Sequence, residues 1–222
     1  METGGRGRSA ATVLVVDDHE LVAEALVRAL GVEPDLVVVG TSATVAEAVR
    51  AARELHPDVV LMDFQLPDGR GTDATARIKQ ERPETEVVML TGQAEGAVLA
   101  AALQAGCSGF VTKSGSFREL PSAIRGVLAG EVRIPPTMMH QLAAHLRPRP
   151  PAIGVDLTKR EIEVLQLLAE GKSTGAIVQE LFLSIHTVRN HIRNILTKLN
   201  AQSRLEAVAI ATRQGLLGPT RP

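Results

Sequence analysis

The sequence predicts an α/β unit built on a five-stranded parallel sheet, joined by a linker to an all-helical unit. Three observations carry this reading. From Thr12 to about Arg133, short β-branched apolar runs alternate with amphipathic stretches of helical length. Beyond Asp156 the pattern turns wholly helical. Between the two, Pro148, Pro150 and Pro151 favour an extended, semi-rigid spacer over a helix or sheet.

The expected strands are Thr12 to Val16, Leu36 to Val39, Val59 to Met62, Val87 to Leu90 and Gly109 to Thr112. Their nearly continuous apolar character implies a sheet buried on both faces, as crossover helices require. Those helices are expected over His19 to Leu30, Val45 to Leu55, Thr72 to Gln80, Ala97 to Ala105 and Phe117 to Ala129. The alternation fits a flavodoxin-like order, in which functional groups collect at the carboxyl ends of the strands. A short helix is expected over Thr137 to Leu146, then four more over Lys159 to Glu170, Thr174 to Leu181, Ile185 to Leu199 and Arg204 to Gln214. Thr158 with Glu161 forms a capping-box pattern, Gly171 is a stop, and Ser173 and Ser184 are caps. The expected boundaries are a disordered N-terminus over 1–11, the α/β unit over 12–132, a linker with a short helix over 133–156, the helical unit over 157–217 and a tail over 218–222.

A length of 222 residues suits two compact units. The net charge of −1 conceals a division. Residues 1 to 146 carry 13 Lys/Arg against 19 Asp/Glu, a balance of −6, and residues 147 to 222 carry 11 against 6, a balance of +5. A basic second half suits a polyanion such as nucleic acid, although the split alone leaves chance clustering of surface charges open. The single cysteine, Cys107, excludes an internal disulfide and the usual cysteine-based zinc sites. With no apolar run long enough to span a bilayer and no signal-peptide pattern, the expectation is a cytoplasmic protein with no membrane partner.

Asp17 and Asp18 follow the first strand, Asp63 follows the third, Thr91 ends the fourth and Lys113 leaves the fifth. Taken singly, each acid could equally be a helix cap or a loop residue. Five polar groups converging on one sheet edge indicate a site. Three neighbouring carboxylates repel one another unless a cation is shared, and hard oxygen ligands suit Mg²⁺ with phosphate oxygens. A phosphoryl group on Asp63 would find a point cation in Lys113 and a hydroxyl donor in Thr91.

These residues stand in the runs Val15-Val16-Asp17-Asp18-His19, Met62-Asp63-Phe64-Gln65-Leu66-Pro67, Leu90-Thr91 and Gly109-Phe110-Val111-Thr112-Lys113. Over Thr12 to Gly130 the chain resembles the receiver domains of two-component response regulators. The resemblance implies that Asp63 accepts a phosphoryl group from the phosphohistidine of a sensor histidine kinase. It puts Asp17, Asp18, Asp63 and the Gln65 carbonyl at the Mg²⁺ site. It casts Thr91 and Phe110 as a switch pair, the hydroxyl moving toward the phosphoryl group and the ring filling the space vacated; Phe110 reads equally as a core residue. Gly92 stands where the family often has Ala, and Gln65 occupies a position from which attack by water on the phosphoryl group can be tuned.

In the second half, two short helices joined by a tight turn at Phe182-Leu183 make a helix-turn-helix. Ile185, Val188, Ile192, Ile195, Leu196 and Leu199 share an apolar face, and Arg189 and Arg193 project from the other with Asn190 and Asn194 nearby. Arginine reads guanine edges or holds phosphates and asparagine reads adenine, which suits a major-groove helix. His186 and His191 lack the i, i+4 spacing of a zinc pair. Leu157-Thr158-Lys159-Arg160-Glu161, Glu170-Gly171-Lys172-Ser173, Thr187-Val188-Arg189-Asn190-His191 and Ser203-Arg204-Leu205-Glu206-Ala207 give the chain a resemblance to LuxR-type DNA-binding domains over Leu157 to Leu217. That resemblance implies Thr187, Arg189, Asn190 and Arg193 at DNA, and a final helix from Arg204 able to pair with its counterpart in a dimer. Where the family often reads Asn-Lys-Glu-Ile-Ala, this chain has Thr174-Gly175-Ala176-Ile177-Val178.

Together the resemblances imply a response regulator of the NarL/FixJ class, a transcription regulator and not an enzyme. The implied partners are double-stranded DNA, a sensor histidine kinase and a second copy of the chain upon phosphorylation, with RNA polymerase a further candidate. An unphosphorylated receiver is expected to mask the recognition helix or to prevent dimer pairing. The alternative is a regulator whose receiver binds protein or ligand without phosphorylation. Enzyme readings are weaker: Gly69 to Ala74 fits a dinucleotide fingerprint only loosely and lies past its strand, Gly171-Lys172-Ser173 lacks the first glycine of a phosphate loop, and Gln65 stands where a phosphatase would want a second acid.

Overall fold

The structure, a computed structural model, describes residues 10–92, 96–113, 119–132, 134, 142 and 157–217. The linker prolines, the tail over 218–222 and all of the helix expected over Thr137 to Leu146 except Leu142 lie outside the described residues. So does the expected N-terminal disorder, apart from Ala10 and Ala11; Ala11 already opens the first strand.

The first half runs β1 (Ala11–Val16), α1 (Glu20–Gly31), β2 (Leu36–Ser42), α2 (Val45–Leu55), β3 (Val59–Asp63), β4 (Gln65–Leu66), β5 (Gly69–Arg70), α3 (Gly71–Glu81), β6 (Glu86–Thr91), α4 (Gly96–Gln104), β7 (Gly109–Thr112) and α5 (Leu120–Leu128). Five strands form a wholly parallel sheet in the order β2-β1-β3-β6-β7. Side chains alternate across it, as a repeat of two requires. Val13, Val15, Val59, Leu61, Val88 and Leu90 pack with Leu26 and Leu30 of α1 and Leu120 and Ile124 of α5. Leu14, Val16, Val60, Met62, Val87 and Met89 face the other way, toward Ala48 of α2, Ile78 of α3 and Leu99 and Leu103 of α4. The order reverses between β1 and β3, so the chain leaves their neighbouring carboxyl ends toward opposite faces of the sheet and a crevice opens there.

The antiparallel pair β4 and β5 is an element that periodicity does not announce, being only two residues a side. The glycines read as a loose fingerprint lie in it and at the start of α3.

The second half is four helices: α6 (Lys159–Ala169), α7 (Thr174–Leu181), α8 (Ile185–Leu199) and α9 (Arg204–Arg213). Each begins on a hydroxyl cap, with Thr158, Ser173, Ser184 and Ser203 accepting from the N–H groups of Glu161, Ala176, Thr187 and Glu206. Val164, Leu165, Leu168, Ile177, Val188, Ile192, Ile195 and Leu205 fill the core, continuous with the α2-α3-α4 side of the first half. Ile185 departs from the apolar face expected for it. It starts α8 on the outside of the packed face and is 42% exposed.

Candidate functional site

The strand ends of β1 and β3 bring Asp17 and Asp63 together. Asp17 is 3% exposed, Asp63 6% and Thr91, at the end of β6, 4%. Lys113 leaves β7 and places its Nζ 2.7 Å from Asp17 Oδ2 and 2.9 Å from Asp63 Oδ2. Asp63 Oδ1 accepts from the Phe64 N–H at 2.7 Å, which fixes the plane of the carboxylate. Its backbone is fixed by Gly71, whose N–H donates to Phe64 O at 2.9 Å. A Cβ on Gly71 would stand 1.9 Å from Asp63 O, so α3 can begin this close to the acid only on a glycine.

Burial holds the Asp63 carboxyl above its ordinary pKa, with the Asp17 charge adding to the rise and Lys113 and the Phe64 N–H opposing it. Burial alone would lower Lys113, but its hydrogen bonds and charge pairing with Asp17 and Asp63 raise it. Phe110 is buried on the α4 side of the sheet. Asp18 and Gln65 are exposed at the rim, Gln65 on β4. All the acids read from the sequence, with Thr91, Lys113 and Gln65, therefore border one cleft or its floor, and Phe64 and Val98 line it with them.

One member has no counterpart among the candidates read from the sequence. His19 lines the same cleft, its Nδ1 2.8 Å from Asp18 Oδ1 and its N–H donating to Asp17 Oδ1 at 3.0 Å. Ligand atoms of Asp17, Asp18, His19 and Asp63 lie within 4.8 Å of one another. The signal available in the sequence was adjacency alone, because His19 follows the two acids on the same strand end.

The residues fit a hard divalent cation. Asp17 Oδ2 is buried without a hydrogen bond of good geometry and meets only the Lys113 ammonium as an ion pair among the described residues. One ammonium shared between Asp17 and Asp63 leaves this cluster of neighbouring carboxylates short of positive charge, which a shared divalent cation would supply.

The second candidate surface is the outer side of α8. Arg189, Asn190 and Arg193 are exposed, and Thr187 is half-buried with its hydroxyl 2.8 Å from the Ser184 cap hydroxyl. Thr187 is thus engaged in starting the helix as well as standing at its exposed end. The polar side of α8 is open to solvent, so nothing among the described residues masks it. What is covered is α9, where Leu205 through Ala211 are all buried. Among the described residues no helix is long and apolar enough to cross a membrane.

Comparison with known proteins finds a match for each half of the chain. The response regulator receiver domain matches residues 13–125, and the luxR family of bacterial regulatory proteins matches residues 155–211. The response regulator protein VraR of Staphylococcus aureus is 36% identical over 205 residues, 92% of this chain and 98% of VraR. A two-component response regulator of the LuxR family from Aurantimonas sp. SI85-9A1 superposes with a TM-score of 0.57 at 37% identity, over 61% of this chain and 97% of that one. The response regulator ChrA of a heme-sensing two-component system covers 94% of this chain and 100% of its own, with a TM-score of 0.51 at 28% identity.

Proposed function

The chain belongs to the two-component response regulators, joining a receiver domain to a LuxR-type DNA-binding helix-turn-helix, and from that premise we propose that Asp63 is its phosphoacceptor. The observation that carries the proposal is the Lys113 ammonium bridging two buried carboxylates, 2.7 Å from Asp17 and 2.9 Å from Asp63. A carboxylate oxygen of Asp63 attacks the phosphorus of a sensor histidine kinase's phosphohistidine. The O–P bond forms as the N–P bond breaks, and the electron pair returns to the imidazole nitrogen. Lys113 then pairs with the phosphoryl oxygens in place of the bare carboxylate.

Asp17, Asp18, Asp63 and the Gln65 carbonyl would hold Mg²⁺, which supplies charge neutralisation for the phosphoryl group when bound. Thr91 donates its hydroxyl to the phosphoryl group, and Phe110 moves into the space that Thr91 leaves. Gln65, exposed beside the cleft, governs the approach of water and hence the lifetime of the phosphorylated state. On double-stranded DNA, α8 enters the major groove with Thr187, Arg189, Asn190 and Arg193 toward bases and phosphates. The open polar side of α8 supports this assignment. Two copies bind together when phosphorylated, with RNA polymerase a further candidate partner.

Incubation of the purified chain with a small phosphodonor and Mg²⁺, followed by intact mass and peptide mapping, tests the assignment. One phosphoryl group on Asp63, absent from Asp63→Ala, is expected. An unlabelled wild-type chain would instead support a receiver that works by binding protein or ligand without phosphorylation.

A further inference from the structure

We propose that Phe182, in the turn between α7 and α8, and Ile185, the first residue of α8, form an apolar edge that reads the 5-methyl groups of thymine in the DNA major groove. The inference deepens the proposed function and rests on its placing of α8 in that groove.

The turn needs one left-handed residue, and the chain puts a phenylalanine there. Phe182 closes α7 with φ +54° and ψ +42°, and its N–H donates to Val178 O. That conformation favours glycine or asparagine, because a Cβ crowds the following carbonyl oxygen. The chain itself uses Asn200 for the equivalent cap of α8, at φ +50°. A bulky ring is therefore not what the turn calls for. Nor does the core use it, since Phe182 is 94% exposed and belongs to neither apolar cluster. A strained backbone carrying an exposed ring stabilises nothing in the fold, so its use lies in binding.

The turn that carries the ring is firmly held. The Leu183 N–H also donates to Val178 O, at 3.1 Å, and Arg160 of α6 donates through Nη2 to Leu181 O at 2.7 Å. Leu181 and Leu183, on either side of Phe182, both pack against the core. The ring is thus presented from a backbone with little freedom left to lose on binding.

The neighbours of the ring identify the occupant. Phe182 stands two residues before the Ser184 cap, within about 7 Å of chain from the start of α8. Helix side chains lean toward the N-terminus, so Ile185 leans back over the turn. Ile185 is the exposed residue that departs from the apolar face, and Arg189 follows it four residues on, also exposed. The apolar edge therefore continues the face that carries Arg189 and Arg193. No acidic residue occurs between Glu180, which pairs with Lys172, and Glu206, so a polyanion can approach this stretch. The first residues of a recognition helix are those that reach base edges, and the base-edge group that suits an apolar side chain there is the thymine methyl.

The test lets the full chain, with a small phosphodonor and Mg²⁺ present, select from a pool of randomised duplexes. Affinity for the selected duplex is then measured with thymine and with uracil, which lacks only the methyl group. Wild type should lose about fourfold for each methyl it contacts, the effect of exposing one apolar carbon. Phe182→Gly and Ile185→Ala should bind the thymine duplex more weakly by a comparable factor and lose little further on uracil. Glycine suits φ +54°, so the urea midpoint of Phe182→Gly should equal or exceed that of wild type, which separates a lost contact from a lost fold. Uracil that costs wild type nothing, or costs both variants as much as wild type, would overturn the thymine edge and leave α8 in the groove. Phe182→Gly binding the thymine duplex as wild type does would overturn it in favour of a protein partner for the ring. A wild type that enriches no duplex from the pool would overturn the placing of α8 as well.

Discussion

Asp63 owes its position to a residue that carries no chemistry. Gly71 brings the first turn of α3 against the Asp63 carbonyl, with no room for a Cβ at 1.9 Å. Gly71→Ala must push α3 away from β3, and overpacking of this kind costs about 2 kcal/mol. The expected result is a urea midpoint lowered to match, together with slower labelling of Asp63, because the Phe64 amide that orients the carboxylate moves with the chain. An unchanged midpoint would show that the backbone yields more easily than the packing suggests. Asp17 and Lys113 were legible in the sequence, because apolar strands followed by polar residues mark strand ends. His19 was not, because its ring could equally have turned outward from α1.

At the scale of elements, the buried glutamate of the capping box of α6 carries a pH dependence. Glu161 is 3% exposed, accepts from the Thr158 N–H at 2.8 Å and pairs with Lys198 of α8 at 2.8 Å. Burial tends to raise its carboxyl, but the Lys198 hydrogen bond, the Thr158 cap and the Lys198 charge outweigh burial and hold it below the ordinary glutamate value. The folded pKa being the lower one, the contribution is full above the unfolded glutamate range and is lost as pH falls through the depressed value. Glu161→Gln should therefore be less stable than wild type by about 2 kcal/mol at neutral pH, as for hydrogen bonds to a charged group. The gap should close on acidification. A gap constant with pH in urea titrations would assign the effect to packing. The capping box itself was readable from Thr158 and Glu161, but the partnership with Lys198 required α6 and α8 to be brought together.

For the whole molecule, the opposition of charge between the halves becomes a division of labour. The half with a balance of −6 holds the acid cleft, and the half with +5 exposes Arg189 and Arg193 on α8. Binding to duplex DNA should weaken steeply with salt, since each phosphate neutralised releases a counterion. Arg193→Ala is expected to reduce the slope of log K against log salt by about 1 if Arg193 meets a phosphate. A slope left unchanged, with selectivity for one base pair lost, would move Arg193 to a base edge. Among the described residues nothing covers the polar side of α8, whereas Leu205 to Ala211 of α9 are buried.

The sequence by itself determined the two kinds of unit, the five strands and the acid-lysine-threonine set, because these depend on periodicity and on residues placed directly at strand ends. It determined the caps of α6, α7 and α8 for the same reason, a cap and its partner being three residues apart. Only the tertiary structure decided that Lys113 bridges Asp17 and Asp63, that Gly71 holds the acid in place and that Arg204 reaches Gly130. These contacts join residues far apart in the chain, and their geometry follows from how sheet and helices pack, which no local pattern encodes.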